Sequence, residues 1–205
     1  MAPLLAMQGR FDDARRNLKE ARAYLQERGM VVRRGGVALS GGWLEFLAGD
    51  IPAAERELAE GIAVLSDIGE TGVLSTLAAM QAKALYLLGQ RAEMDGAIAL
   101  AQQTGAPNDI ATQAEWRYVA AMAAADDGRG EDAERLIAEA VEMVEPTDFL
   151  ELRGDTFEAL AHVEARARRP DAWRAALERS LAEHERKANV VSAQRIRGML
   201  EQGPP

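Results

Sequence analysis

A length of 205 residues, a net charge of −9 and the absence of cysteine exclude a disulfide framework and thiolate chemistry. Hydrophobic residues make up 48% but aromatics only 5%, so alanine carries much of the packing, and no run nears the roughly 18 apolar residues that span a bilayer. The charge is segregated, with a net +4 over Arg10–Arg34, −17 over Gly35–Ala165 and +5 over Arg166–Arg197, which excludes the continuous basic surface that nucleic acid requires.

The chain opens Met1-Ala-Pro-Leu-Leu, without the basic flank and long apolar stretch of a signal peptide, and a cytoplasmic setting is expected. Glycine then recurs at Gly9, Gly49, Gly89 and Gly128, steps of about 40 residues, and one more step lands on Arg168. Positions counted from these marks agree in chemistry. Seven before stand Ala2, Gly42, Ala82, Ala121 and Ala161, nine after Leu18, Leu58, Ile98, Ile137 and Leu177, and twelve after Ala21, Gly61, Ala101, Ala140 and Ser180. A period of this length predicts an all-α solenoid of antiparallel helix pairs, each burying its apolar face against its neighbours.

In chain order, second helices are expected near 12–28, 52–68, 92–104, 130–145 and 171–187. First helices are expected near 36–48, 72–88, 109–126 and 148–167. Only the last two turns of a first helix fit before Gly9, and Val190–Glu201 reads as a capping helix with Val190, Ala193, Ile196 and Leu200 on one face. Eleven helices or helix segments follow, in repeats at about 1–29, 35–69, 71–105, 108–146 and 148–188 with a cap over 190–202. Asp50-Ile51-Pro52, Pro107-Asn108-Asp109 and Pro146-Thr147-Asp148 are start signals. Gly29, Gly69 and Gly105 are expected to end second helices in the left-handed conformation. The position five after the mark holds Ala14, Ala54 and Ala133 but also Met94 and Trp173, and the bulk of Trp173 is expected to seal the last repeat. The abrupt start predicts that the chain is the C-terminal part of a longer protein.

The glycine with a small residue seven before it, and small residues five and twelve after, resembles the tetratricopeptide signature in a longer version. Two stretches, Pro107 to Arg117 and Thr147 through Gly154-Asp155 to Ala193, are similar to the C-terminal arrays of bacterial ATPase- or cyclase-linked transcriptional and signalling regulators. The resemblance implies a non-enzymatic interaction scaffold that docks a protein partner or a neighbouring domain; a short-peptide sensor is the alternative. It also implies that first helices line a concave groove. The groove residues are then Trp43, Lys83, Met122 and His162 six before the marks, Tyr118 and Glu158 ten before, and Glu115 and Asp155 thirteen before. These carboxylates would repel a carboxylate ligand and favour a basic segment.

Other chemistry finds no support in the sequence. His162 and His184, the only histidines, lie on different predicted helices without a ligand motif, so no metal site is expected. Neighbouring helical residues point about 100° apart, so Glu115-Trp116-Arg117 is not expected to stack a Trp–Arg pair, and Trp116 is expected to be buried. Asp12-Asp13, Asp126-Asp127 and Glu131-Asp132 fall at turns and helix starts, where they suit the helix dipole. Gly128-Arg129-Gly130 lacks the rest of a phosphate loop, and no catalytic triad can be assembled. No enzyme activity, cofactor or membrane association is expected.

Overall fold

The computed structural model describes residues 1–204 and is all-α, with no strand among them. Its eleven helices are α1 (Ala2–Met7), α2 (Phe11–Glu27), α3 (Val31–Ala48), α4 (Ile51–Asp67), α5 (Gly72–Leu87), α6 (Arg91–Thr104), α7 (Ile110–Asp126), α8 (Gly130–Val144), α9 (Leu150–Arg166), α10 (Pro170–Arg186) and α11 (Val190–Gln202). Consecutive helices pack against one another within two compact units, Met1–Thr112 and Gln113–Pro205.

In the first unit α3 also touches α1 and α5, so alternate helices lie side by side as well as consecutive ones. Ala2, Ala6, Ala14 and Leu44 form one core cluster; Ala38, Leu58, Leu65, Leu74, Leu77, Met80 and Ala84 form another, and Trp43 packs partly buried against both. Helix α3 starts at Val31 and runs straight through Gly35-Gly36, about a turn earlier than expected. Glycine costs a helix about 1 kcal/mol relative to alanine, but tertiary packing overrides it here. A Cβ at Gly35 would come within 2.6 Å of Leu65, and one at Gly42 within 2.6 Å of Leu58. The missing side chains let α3 and α4 close on each other. The Asp50 signal holds, its carboxylate accepting a hydrogen bond from Ala53 N at 3.0 Å.

In the second unit α9 packs on α8 and α10, and α10 on α11. Ala161, Trp173, Ala176, Leu177 and Ile196 form its cluster. Trp173 is therefore covered by the C-terminal helix. Val190 departs from the expected apolar face and is exposed, whereas Ala193 and Ile196 are buried. Arg153 of α9 ties this unit together, pairing with Glu183 of α10 at 2.6 Å and donating to the carbonyls of Glu145 and Thr147. Thr147 Oγ1 accepts from Phe149 N ahead of α9. Asp109 accepts from Thr112 N at the start of α7, within the first unit.

The repeat marks have a common backbone cause. Gly9, Gly49, Gly89 and Gly128 have φ between 72° and 76°, and Arg168, the fifth mark, adopts the same left-handed region at 57°. Arginine is strained there, so the turn geometry is imposed by the helices on either side. Gly29 and Gly69 end α2 and α4 with positive φ as expected. Gly105 does not: it is extended at φ −75°, ψ 129°, and the chain leaves α6 towards Ala106-Pro107. Proline disfavours a helical conformation in the residue before it, here Ala106, so the chain beyond Gly105 continues extended.

Candidate functional site

A dense polar constellation lies in the second unit. On α9, Glu151, Asp155 and Glu158 fall at i, i+4 and i+7 and so share one helical face. On α7, Glu115 and Tyr118 are one turn apart, and Tyr118 Oη donates to Glu115 Oε1 at 2.8 Å. Tyr118 is 1% exposed, and its phenol pKa is raised well above the ordinary value by burial, the charges of Glu115 and Asp155, the hydrogen bond to Glu115 and the charge of Glu158. All three carboxylates therefore act on one buried hydroxyl. That hydroxyl stays protonated and keeps donating.

Two cationic groups complete the arrangement. Arg195 of α11 grips Glu158 through both guanidinium nitrogens, with Nη2 2.8 Å from Oε2 and Nη1 on Oε1. Burial opposes the charge of this arginine, but the attraction and hydrogen bonds of Glu158 and the field of Asp155 outweigh it and raise its pKa. His184 of α10 is fully buried, with Nδ1 3.7 Å from Glu151 and Nε2 3.8 Å from Asp155. Its ring lies over Gly154, where an added Cβ would come within 2.6 Å of the imidazole. Ser180 Oγ donates to the Gly154 carbonyl at 2.8 Å, holding α10 at this distance from α9. Buried Asn189, which caps α11 through Ser192 N, donates to Glu151 Oε2 at 3.0 Å. The side chains of Asp155 and Glu158 remain 21% and 24% exposed, so solvent reaches the cluster from their side.

The other residues expected in a groove occupy more ordinary positions. In the first unit Trp43 belongs to the core edge, and the Lys83 ammonium lies 5.2 Å from the centre of the Phe46 ring. In the second unit Met122 is half-buried. His162 pairs with Asp126 at 2.9 Å, a carboxylate it shares with Arg166. The structure thus brings Glu115, Tyr118, Asp155 and Glu158 together, whereas His162 meets Asp126.

The Trp116 expectation is corrected on both counts. Trp116 is half-buried, and the Arg117 guanidinium lies 4.2 Å from the centre of its ring. The three methylenes of arginine carry its head across the angle between adjacent residues, while Glu139 and Gln113 fix the guanidinium in place.

Glu151, His184 and Arg195 escaped the groove assignment, although the repeat register contained a pointer to one of them. Counting one further step from Glu115 and Asp155 lands on Arg195, so the same position carries carboxylate, carboxylate and guanidinium on α7, α9 and α11. His184 comes from a second helix, which a register built on first helices passes over. No family model matches this sequence, and no curated protein matches it at a significant level.

Proposed function

We propose that the chain is a non-enzymatic interaction module, a tetratricopeptide-like superhelical solenoid that serves as the regulatory scaffold of a bacterial signalling or transcriptional regulator. In this reading the first helices receive a protein partner or a neighbouring domain, and the point of capture in the second unit is the carboxylate face of α7 and α9. One observation carries the proposal. The carboxylate face already holds a cationic side chain from another helix, Arg195, in two-pronged contact with Glu158. Charge-assisted, bidentate pairs of this kind are the strongest hydrogen bonds available to a surface, and their planar geometry selects guanidinium over other groups. Buried Tyr118 fixes Glu115 beside it, so the face is preorganised. The ionisable groups here hold one another, and none of them is a serine, threonine or cysteine nucleophile.

The same contact favours a second reading, a short-peptide sensor, because an incoming arginine can displace Arg195 from Glu158 and loosen the C-terminal helix. Calorimetric titration with an acetylated peptide bearing two arginines tests capture. Binding should occur, weaken as salt rises because screening shortens to about 3 Å at 1 M, and fall in Glu115→Gln and Glu158→Gln. Tighter binding to Arg195→Gln would mark the sensor. Equal affinity for the wild type and both glutamine variants would overturn the docking proposal.

A further inference from the structure

We infer that Asp155, Glu158 and His184 form a binding site for one divalent zinc-like cation, with Glu151 and Asn189 orienting the histidine. The three side chains offer one ligand atom each, and those atoms lie within 4.8 Å of one another. Two come from α9 at i, i+3, which places them on one face, and the third comes from α10 across the Gly154 contact.

One donor pair already stands near the spacing that a shared ion requires. Zinc–nitrogen and zinc–oxygen bonds of about 2.0–2.2 Å at tetrahedral angles separate neighbouring donors by about 3.4 Å. His184 Nε2 and Asp155 Oδ1 stand at 3.8 Å, beyond hydrogen-bond length and a few tenths of an ångström from that spacing. The histidine is also set up as a ligand from behind. Asn189 donates to Glu151 Oε2, which stands 3.7 Å from Nδ1 on the side of the ring away from Asp155, so a metal bound at Nε2 would find a carboxylate ready to receive the Nδ1 proton. A carboxylate behind the distal nitrogen is the arrangement that fixes the tautomer and raises the basicity of metal-bound imidazoles. Gly154 gives the ring its room, and full burial of His184 holds it in one orientation. Solvent reaches the site on the carboxylate side, where water can fill the fourth position.

The imidazole sets the preference. One nitrogen with two carboxylates suits zinc and its first-row neighbours, whereas magnesium keeps to oxygen ligands and its own water. Arg195 is the resident competitor, since Glu158 cannot serve the guanidinium and the metal fully at once. Zinc therefore releases Arg195, and it excludes a basic segment from the same carboxylates.

The test uses the protein and Zn2+ alone, without peptide, so that its outcome is separate from that of the docking proposal. Calorimetry should give one site per chain, with Mg2+ producing no comparable heat. Asp155→Asn, which preserves size and can be checked for unchanged helical circular dichroism, should weaken binding by at least about 10-fold, the scale seen when metal-site partners are lost. Arg195→Gln should tighten it, a direction that scattered surface carboxylates would not give. The ring proton signals of His184 should shift on zinc addition in the wild type. The inference is overturned if Zn2+ does not bind, or if Asp155→Asn binds it as well as the wild type does.

Discussion

Gly61→Ala sets helix propensity directly against close packing. Gly61 lies within α4, and its replacement by alanine should gain about 1 kcal/mol from reduced backbone entropy if nothing else changed. An added Cβ would, however, sit far inside contact distance of Ala38 Cβ, 3.0 Å from Leu77 Cδ1 and 3.1 Å from the Gly35 carbonyl. Ala38 has no rotamer with which to yield, and the carbonyl belongs to a helix. Backbone separation of α3 and α4 is then the available relief, and overpacking of this kind costs about 1–3 kcal/mol. Because α3 and α4 also meet at Gly35 and Gly42, moving them apart loosens Leu65 and Leu58 as well, which puts the cost towards the upper end. The net expectation is a loss of about 1–2 kcal/mol. Gly96→Ala is the internal control: it lies in α6 with nothing within 4 Å of its would-be Cβ, and it should gain close to the full 1 kcal/mol. Urea denaturation followed by circular dichroism reads both. A Gly61→Ala variant as stable as Gly96→Ala would refute the packing argument.

Ala121→Leu should overpack a fully buried position and cost about 1–3 kcal/mol, visible as a lowered melting temperature. Glu183→Ala removes the partner of Arg153 at a 5% exposed position and should cost about 3 kcal/mol, the lower end for breaking a buried pair, because Arg153 keeps its two carbonyl acceptors. The Glu139 carboxyl is held below the usual range by the Arg117 hydrogen bond, which outweighs partial burial, with help from Arg135. Its contribution is therefore present above the ordinary glutamate pKa of about 4.3 and is lost as pH falls through the lowered folded value. Glu139→Gln should be less stable at pH 7 by under about 1 kcal/mol, as expected for a partly exposed pair, and the gap should close in acid unfolding midpoints.

The legible part of this fold was the spacing. Ala82, Ala121 and Ala161 are all fully buried at the position seven before the marks, and Ala54, Ala133 and Trp173 are buried five after, because a fixed period imposes one packing environment on each helix pair. What the period could not convey was where glycine serves packing instead of a turn. The helix expected over about 36–48 begins at Val31 instead, and the proximity of Leu65 explains why it passes through Gly35. The grouping of Glu115, Tyr118, Asp155 and Glu158 was accessible because all four occupy repeat register on first helices. His184 was not, since its role depends on Gly154 admitting a ring from the neighbouring helix. The Trp116–Arg117 contact was missed for a related reason: backbone direction does not limit where a long side chain ends.

The most direct measurement is an NMR titration of the isotopically labelled chain with the two-arginine peptide, following side-chain carboxyl carbons and backbone amides together. If the carboxylate face captures cationic groups, the carboxyl signals of Glu115, Asp155 and Glu158 should move first and saturate together, with the amides around Arg195 following as its contact is exchanged. The surface glutamates of the same unit that stand apart from the cluster, such as Glu131 and Glu178, should remain still. Shifts spread evenly over the acidic surface, or concentrated away from α7 and α9, would contradict the account.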